Sequence, residues 1–131
     1  MLSELREIGG AKKPDMNLLS KLLGRPAKEA VAWIDVSELA ELLKTESPPL
    51  IVDVRGPAEF TGPLGHIDSA ENIPLDQIAG RTTELMADKR PLVLVCHTDR
   101  RSSAAAEHLR RAGREDIAVL RGGMVAWRSL P

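Results

Sequence analysis

Residues 91–103 read PLVLVCHTDRRSS, and this stretch decides the fold. PLVLV is a continuous apolar run of strand length, whereas SSAAAEHLRRAG after it carries high helix propensity and a glycine stop at Gly113. A run with no polar alternation fits a strand covered on both faces, as in a parallel sheet. With the helix expected to begin at Ser102 or Ser103, residues 97–101 form a short loop curled over its N-terminus.

Outward from this unit the pattern repeats. Upstream, AVAWI leads into DVSELAELLK, where Asp35 and Glu38 have capping-box spacing and Val36, Leu39, Leu42 and Leu43 share one helical face. LIVDV at residues 50–54 is a second continuous β-branched run. AENI reads as a short strand, LDQIAGRTTELM as one helix despite Gly80, and IAVL as a further strand. Strands alternating with helices predict an α/β domain over residues 31–131, its strands paired in parallel by right-handed crossovers and its helices on both faces. Residues 1–30, punctuated by Gly9, Gly10, Pro14, Gly24 and Pro26, read as an appendage. Within it a short amphipathic helix with Leu18, Leu19, Leu22 and Leu23 is expected to pack on the domain.

Composition narrows the function. The net charge of -1 offers no global field for nucleic acid or an anionic membrane, so an anion site must be local. A single cysteine among 131 residues excludes an intramolecular disulfide or a multi-cysteine metal cluster, and the three histidines are too scattered to suggest a metal site. No cofactor is called for. The N-terminus has no apolar signal core, and no run reaches the length of a spanning helix, so a cytoplasmic protein is expected.

The chemistry concentrates at Cys96. In an open parallel sheet, ligands bind beyond the carboxyl ends of the strands. A cysteine ending an apolar strand is ordinarily a small buried core residue. Here, however, Arg100 and Arg101 follow within five residues, and the hydroxyl-bearing Ser102 stands at the expected helix start. The helix N-terminus and the arginines favour thiolate over thiol, and the loop amides can converge on an anion. A free thiol with a pKa of about 8.5 is only a few per cent ionised at neutral pH, so depressing it raises the reactive fraction at most a few tens-fold. The larger part of any rate is therefore expected from preorganised donors around the transition state.

With these residues in view, the chain resembles the rhodanese family from about Ala32 to Trp127. Six segments carry the resemblance in order: LIVDVR at 50–55, Glu59-Phe60, GHI at 65–67, NIP at 72–74, the Cys96 loop, and GGMVAW at 122–127. It implies a five-stranded parallel sheet flanked by helices. It also implies sulfur transfer in two half-reactions through a Cys96 persulfide, from thiosulfate or a persulfide donor to a thiol or cyanide acceptor. A cysteine desulfurase or a sulfur-acceptor protein is a compatible partner. By position Arg101 matches the family's loop arginine, and the amides of His97, Thr98, Asp99, Arg100, Arg101 and Ser102 match its persulfide cradle. Many members have glycine where this chain has Asp99. That carboxylate opposes anion binding, so it is expected to point away from the cradle, toward an arginine.

Two rivals are weighed against the enzyme. Phosphatases and arsenate reductases with a cysteine loop require Cys, five residues, then Arg, whereas the residue at that place here is Ser102. A rhodanese-like module could also dock a partner while its loop stays catalytically idle. Of the remaining residues, Asp53 and Arg55 flank the end of LIVDV and are expected to pin a turn or support the site, with Glu59 as the ion-pair partner of Arg55. His66 is expected to order a turn, His108 to lie on a helix surface, and His97 to be a solvated loop residue. Trp33 and Trp127 are expected as bulky core anchors, and Gly122-Gly123 as the point where the backbone passes close to the Cys96 loop.

Overall fold

A computed structural model describes residues 31–131. The amphipathic helix expected within residues 1–30 lies outside the described residues. Five strands, β1 (Ala32–Ile34), β2 (Leu50–Asp53), β3 (Glu71–Asn72), β4 (Leu92–Val95) and β5 (Ile117–Leu120), form one sheet in the order β1-β5-β4-β2-β3. Every pairing is parallel, with Leu50 opposite Leu92 and Leu92 opposite Ile117 at the centre. The helices are α1 (Val36–Leu42), α2 (Pro57–Phe60), α3 (Leu75–Ile78), α4 (Thr82–Ala87), α5 (Arg100–Arg111) and α6 (Gly123–Trp127), with a 3-10 turn at Ala79–Arg81.

The apolar runs are continuous because each central strand faces two cores. Successive side chains of a strand point to opposite sides. Leu92 and Leu94 therefore join Val52, Val119 and the α5 residues Ala105, Ala106 and Leu109 on one face. Val93 and Val95 join Ile51, Ala118, Leu120, Leu39 and Met124 on the other. Cys96 keeps the phase of Leu92 and Leu94, so its side chain falls on the α5 face, below the first turn of that helix. The alternation of β4 thus places the sulfur before any special contact acts.

Three expectations are corrected. Residues 75–87 do not form one helix but break into α3, the 3-10 turn and α4. Gly80 weakens the helix there, and the hydroxyl of Thr82 donates to the Ile78 carbonyl (2.9 Å), competing with the regular ladder. Helix α5 begins at Arg100, two residues earlier than its serines suggest, so the preceding loop is shorter. Trp33 and Trp127 are half-buried and pack on the rims of the two cores instead of anchoring them. Trp127 opens onto a surface depression of about 410 Å³ shared with Leu43, Pro48 and His66. Among the described residues no helix is long and apolar enough to cross a membrane.

After β2 the chain is pinned by a buried ion pair. Arg55 donates from Nε and Nη2 to Asp53 at 2.9 and 2.7 Å, and Nη2 also donates to the Gly65 carbonyl at 2.7 Å. Both side chains are only 1% exposed. Removing one partner of such a pair leaves a buried charge without compensation. Asp53→Ala should therefore cost about 3 to 5 kcal/mol in urea unfolding. A loss below about 1 kcal/mol would show that water or another acceptor takes over Arg55.

Candidate active site

Cys96 sits immediately after β4 and is 1% exposed. Its Sγ accepts a hydrogen bond from the Ser102 N–H at 3.3 Å and lies 3.3 Å from the Ser102 hydroxyl, where either atom can donate. Ser102 is itself buried, in the first turn of α5. The early start of α5 brings this about: with Arg100 and Arg101 already helical, the amide of Ser102 is one of the helix's unpaired N-terminal donors and turns onto the sulfur.

The opposite side of the loop is set by Gly123. With φ at +55°, a region that favours glycine, Gly123 lies so close that a Cβ there would fall 2.2, 2.4 and 2.6 Å from the carbonyl oxygens of Thr98, Cys96 and His97. The next two amides complete the contact, Met124 donating to the Cys96 carbonyl (2.9 Å) and Val125 to the His97 carbonyl (3.1 Å). In a planar trans peptide the N–H points opposite to the preceding C=O. Carbonyls gathered at α6 therefore leave the amides of residues 97–99 directed away from it. The close backbone passage expected of Gly122-Gly123 is what the structure contains.

The charged residues fall differently from expectation. Glu59 pairs with Arg101, not with Arg55: Nη1 and Nη2 of Arg101 donate to the two carboxylate oxygens at 2.7 and 2.9 Å. Glu59 is held for this by the Gly56 N–H, which donates to Oε1 at 3.1 Å across the first turn of α2. Arg55 is already committed to Asp53 and is buried behind it, so it has no need of Glu59. The Arg101 guanidinium lowers the Glu59 carboxyl to about 2, and the Gly56 bond adds to this against the cost of burial. Arg101 is raised in turn, chiefly by Glu59, and the charge of Cys96 adds to that effect.

Asp99 precedes α5 with φ at −157° and does not enter the left-handed region. Its carboxylate makes no ion pair or hydrogen bond with any described residue, so the arginine partner expected for it is absent. Arg100 is exposed and likewise makes no ion pair among the described residues. Together with Arg101, Leu75 and Ala104 it lines a depression of about 390 Å³. His97 and Thr98 are exposed. His66 orders its turn, donating from Nδ1 to the Phe60 carbonyl (2.8 Å) and stacking on the Phe60 ring at 3.6 Å. His108 is exposed on α5, beside the Thr82 hydroxyl. Among the described residues no group of three metal-ligating side chains comes together.

Asn72 was missed by sequence reasoning. Its amide donates to the carbonyls of Asp53 (3.0 Å) and Arg55 (2.8 Å), holding the chain as it leaves β2. An asparagine in a two-residue strand carries no signal of this. Its partners are backbone atoms nineteen and seventeen residues away.

Residues 35–130 match the rhodanese-like domain family. The chain belongs to that family. The uncharacterized protein YqhL of Bacillus subtilis is 46% identical over 77 residues, which are 59% of this chain and 59% of that protein. The thiosulfate sulfurtransferase GlpE of Shewanella oneidensis is 35% identical over 94 residues, covering 72% of this chain and 89% of that protein. The crystal structure of SSP1007 from Staphylococcus saprophyticus superposes with a TM-score of 0.64 at 28% identity, over 72% of this chain and 91% of that one. The five-stranded parallel sheet and its flanking helices are therefore those of a rhodanese-like domain.

Two outcomes follow from this geometry. Gly123→Ala forces a side chain into a positive φ and into three carbonyls, and should cost more than about 1 kcal/mol from the backbone conformation alone. Thermal unfolding reads this, and unchanged stability would mean that the loop yields to α6 freely. The Glu59 carboxyl is lowered on folding, so its stabilisation is complete above the ordinary value of 4.5 and is lost as pH falls toward about 2. The stability difference between wild type and Glu59→Gln should be flat from pH 7 to about 5 and shrink below that.

Proposed function

We propose that this rhodanese-like domain is a sulfurtransferase that carries sulfane sulfur on Cys96. The observation that carries the reading is the setting of the buried Cys96 sulfur, which faces the amide and hydroxyl of Ser102 while the loop carbonyls turn to α6. Preorganised donors with no opposing carbonyls suit a sulfur that holds negative charge before and after transfer. The relatives named as sulfurtransferases, at moderate identity and nearly full length, support the same activity.

In the first half-reaction the Cys96 thiolate attacks the outer sulfur of thiosulfate. A Cys–S–S⁻ bond forms, the S–S bond of the donor breaks, and sulfite leaves with the electron pair. A persulfide donor reacts in the same way, releasing its thiolate. In the second half-reaction cyanide or an acceptor thiolate attacks the outer sulfur, giving thiocyanate or a new persulfide and restoring the Cys96 thiolate. The Ser102 amide and hydroxyl receive the inner sulfur, and the amides of residues 97–101 cradle the outer one. Thiosulfate, a cysteine desulfurase and a sulfur-acceptor protein in the cytoplasm are the partners that fit this chemistry.

Phosphoryl chemistry fits the site poorly. Ser102 stands where a cysteine phosphatase places its arginine, and its amide is spent on the cysteine sulfur. Arg101 is too early and already bound to Glu59.

Intact-mass spectrometry tests the reading. After incubation with thiosulfate or a persulfidated protein the chain should gain one sulfur, lose it with cyanide or dithiothreitol, and never gain it as Cys96→Ser. No gain from any sulfane donor would overturn the enzyme and leave a rhodanese-like docking module.

A further inference from the structure

We propose that Glu59 determines which sulfur donor the Cys96 site takes, by holding Arg101 in an ion pair that cancels the positive charge a dianionic donor would seek. This rests on the sulfur-transfer reading above. Two arginines in the loop make the site look suited to dianions. The structure divides them: the two terminal nitrogens of Arg101 are bound to Glu59, and only Arg100 has no acidic partner among the described residues. The half-buried Asp99, with no cation of its own, stands beside Arg100 and subtracts from it.

Glu59 is well placed to keep this hold. The Gly56 N–H fixes its Oε1 from the helix side, so the carboxylate is oriented before Arg101 arrives. The carboxyl remains ionised at any pH at which the protein would be assayed. Arg101 stands in the first turn of α5, next to the Ser102 whose amide and hydroxyl meet the sulfur, so its charge acts in the same neighbourhood.

The two donor classes differ in charge and not in the bond made. Thiosulfate approaches the thiolate with two negative charges and leaves as a sulfite dianion. An organic persulfide approaches with one, its outer sulfur passes to Cys96, and a thiolate leaves. Both reactions are redox-neutral and yield the same Cys96 persulfide. A site whose arginine is already paired favours the monoanion. Leu75 and Ala104 line a depression with the two arginines and give it an apolar wall.

The test measures the rate of sulfur gain on Cys96 in single turnovers, as a function of donor concentration. The donors are thiosulfate and the persulfide of N-acetylcysteine methyl ester, a monoanion. Glu59→Gln keeps an acceptor for the Gly56 amide but frees the Arg101 charge. It should raise the ratio of the thiosulfate to the persulfide rate constant about fivefold, through a lower apparent Kd for thiosulfate and not a higher limiting rate. Glu59→Asp, which retains the carboxylate, should return the ratio toward wild type. The double variant Glu59→Gln, Arg101→Gln has no guanidinium to free, and its ratio should stay within about twofold of that of Arg101→Gln alone. It also keeps the test readable should the single variant fail to fold.

An unchanged or lowered ratio in Glu59→Gln, or a rise just as large when Glu59→Gln is added to Arg101→Gln, would overturn the proposal. Wild type that gains sulfur from neither donor would instead overturn the sulfur-transfer reading itself.

Discussion

The site depends on one close approach, that of Gly123 to the backbone of residues 96–98. Three carbonyl oxygens converge on a spot that cannot hold a side chain, and the amides of Met124 and Val125 at the start of α6 donate to two of them, those of Cys96 and His97. Buried carbonyls need donors, and here the donors come from a helix seventy residues after the end of β2 and nearly thirty after Cys96. What this gives the loop is polarity. The Cys96 and His97 carbonyls are satisfied on one side, so the amides that follow them turn to the other, where β4 has delivered the cysteine. A residue with a Cβ at position 123 would separate the two segments and remove the reason for the loop to face one way.

Two ion pairs frame that loop, and they do different things. Asp53–Arg55 is fully buried, where ion pairs bring little net stability but strong dependence on both members. Its effect is conformational: with Asn72 and the Gly65 carbonyl it fixes the path of the chain leaving β2, and so the position of α2. Glu59–Arg101 is more than a third exposed on each side, so its energy is screened and modest. Its effect is electrostatic, because it occupies both terminal nitrogens of a guanidinium in the first turn of the helix that meets the sulfur. The buried pair places the exposed one, since Glu59 rides on the short helix that begins just after Arg55.

Most of the fold was legible because the central strands announce themselves. LIV of β2, PLVLV and IAVL are apolar without alternation, as strands of a sheet covered on both faces are. The site was legible at Cys96 and Ser102, whose neighbours in sequence are also their neighbours in space. It was illegible wherever a side chain chose between partners. Glu59 lies four residues from Arg55 and forty-two from Arg101, and sequence reasoning takes the near one. The structure takes the far one because Arg55 is spent on Asp53. The start of α5 was misplaced for a related reason. Serines are good caps, yet Asp99 takes the cap position, two arginines open the helix, and Ser102 turns to the sulfur.

That shift of two residues bears on why we propose sulfur chemistry over phosphate chemistry. A tetrahedral oxyanion needs a ring of amides wide enough to surround it, closed by an arginine from the helix. Starting α5 at Arg100 makes its first two residues arginines, Arg101 bound to Glu59 and Arg100 exposed without an ion pair among the described residues. The Cys96 sulfur meets the Ser102 amide and hydroxyl and no cationic side chain among the described residues. One added sulfur atom bearing a single charge suits such a setting better than a group bearing three or four oxygens. On the reading proposed here, helix register, more than the identity of any one loop residue, is what fits this loop to a persulfide.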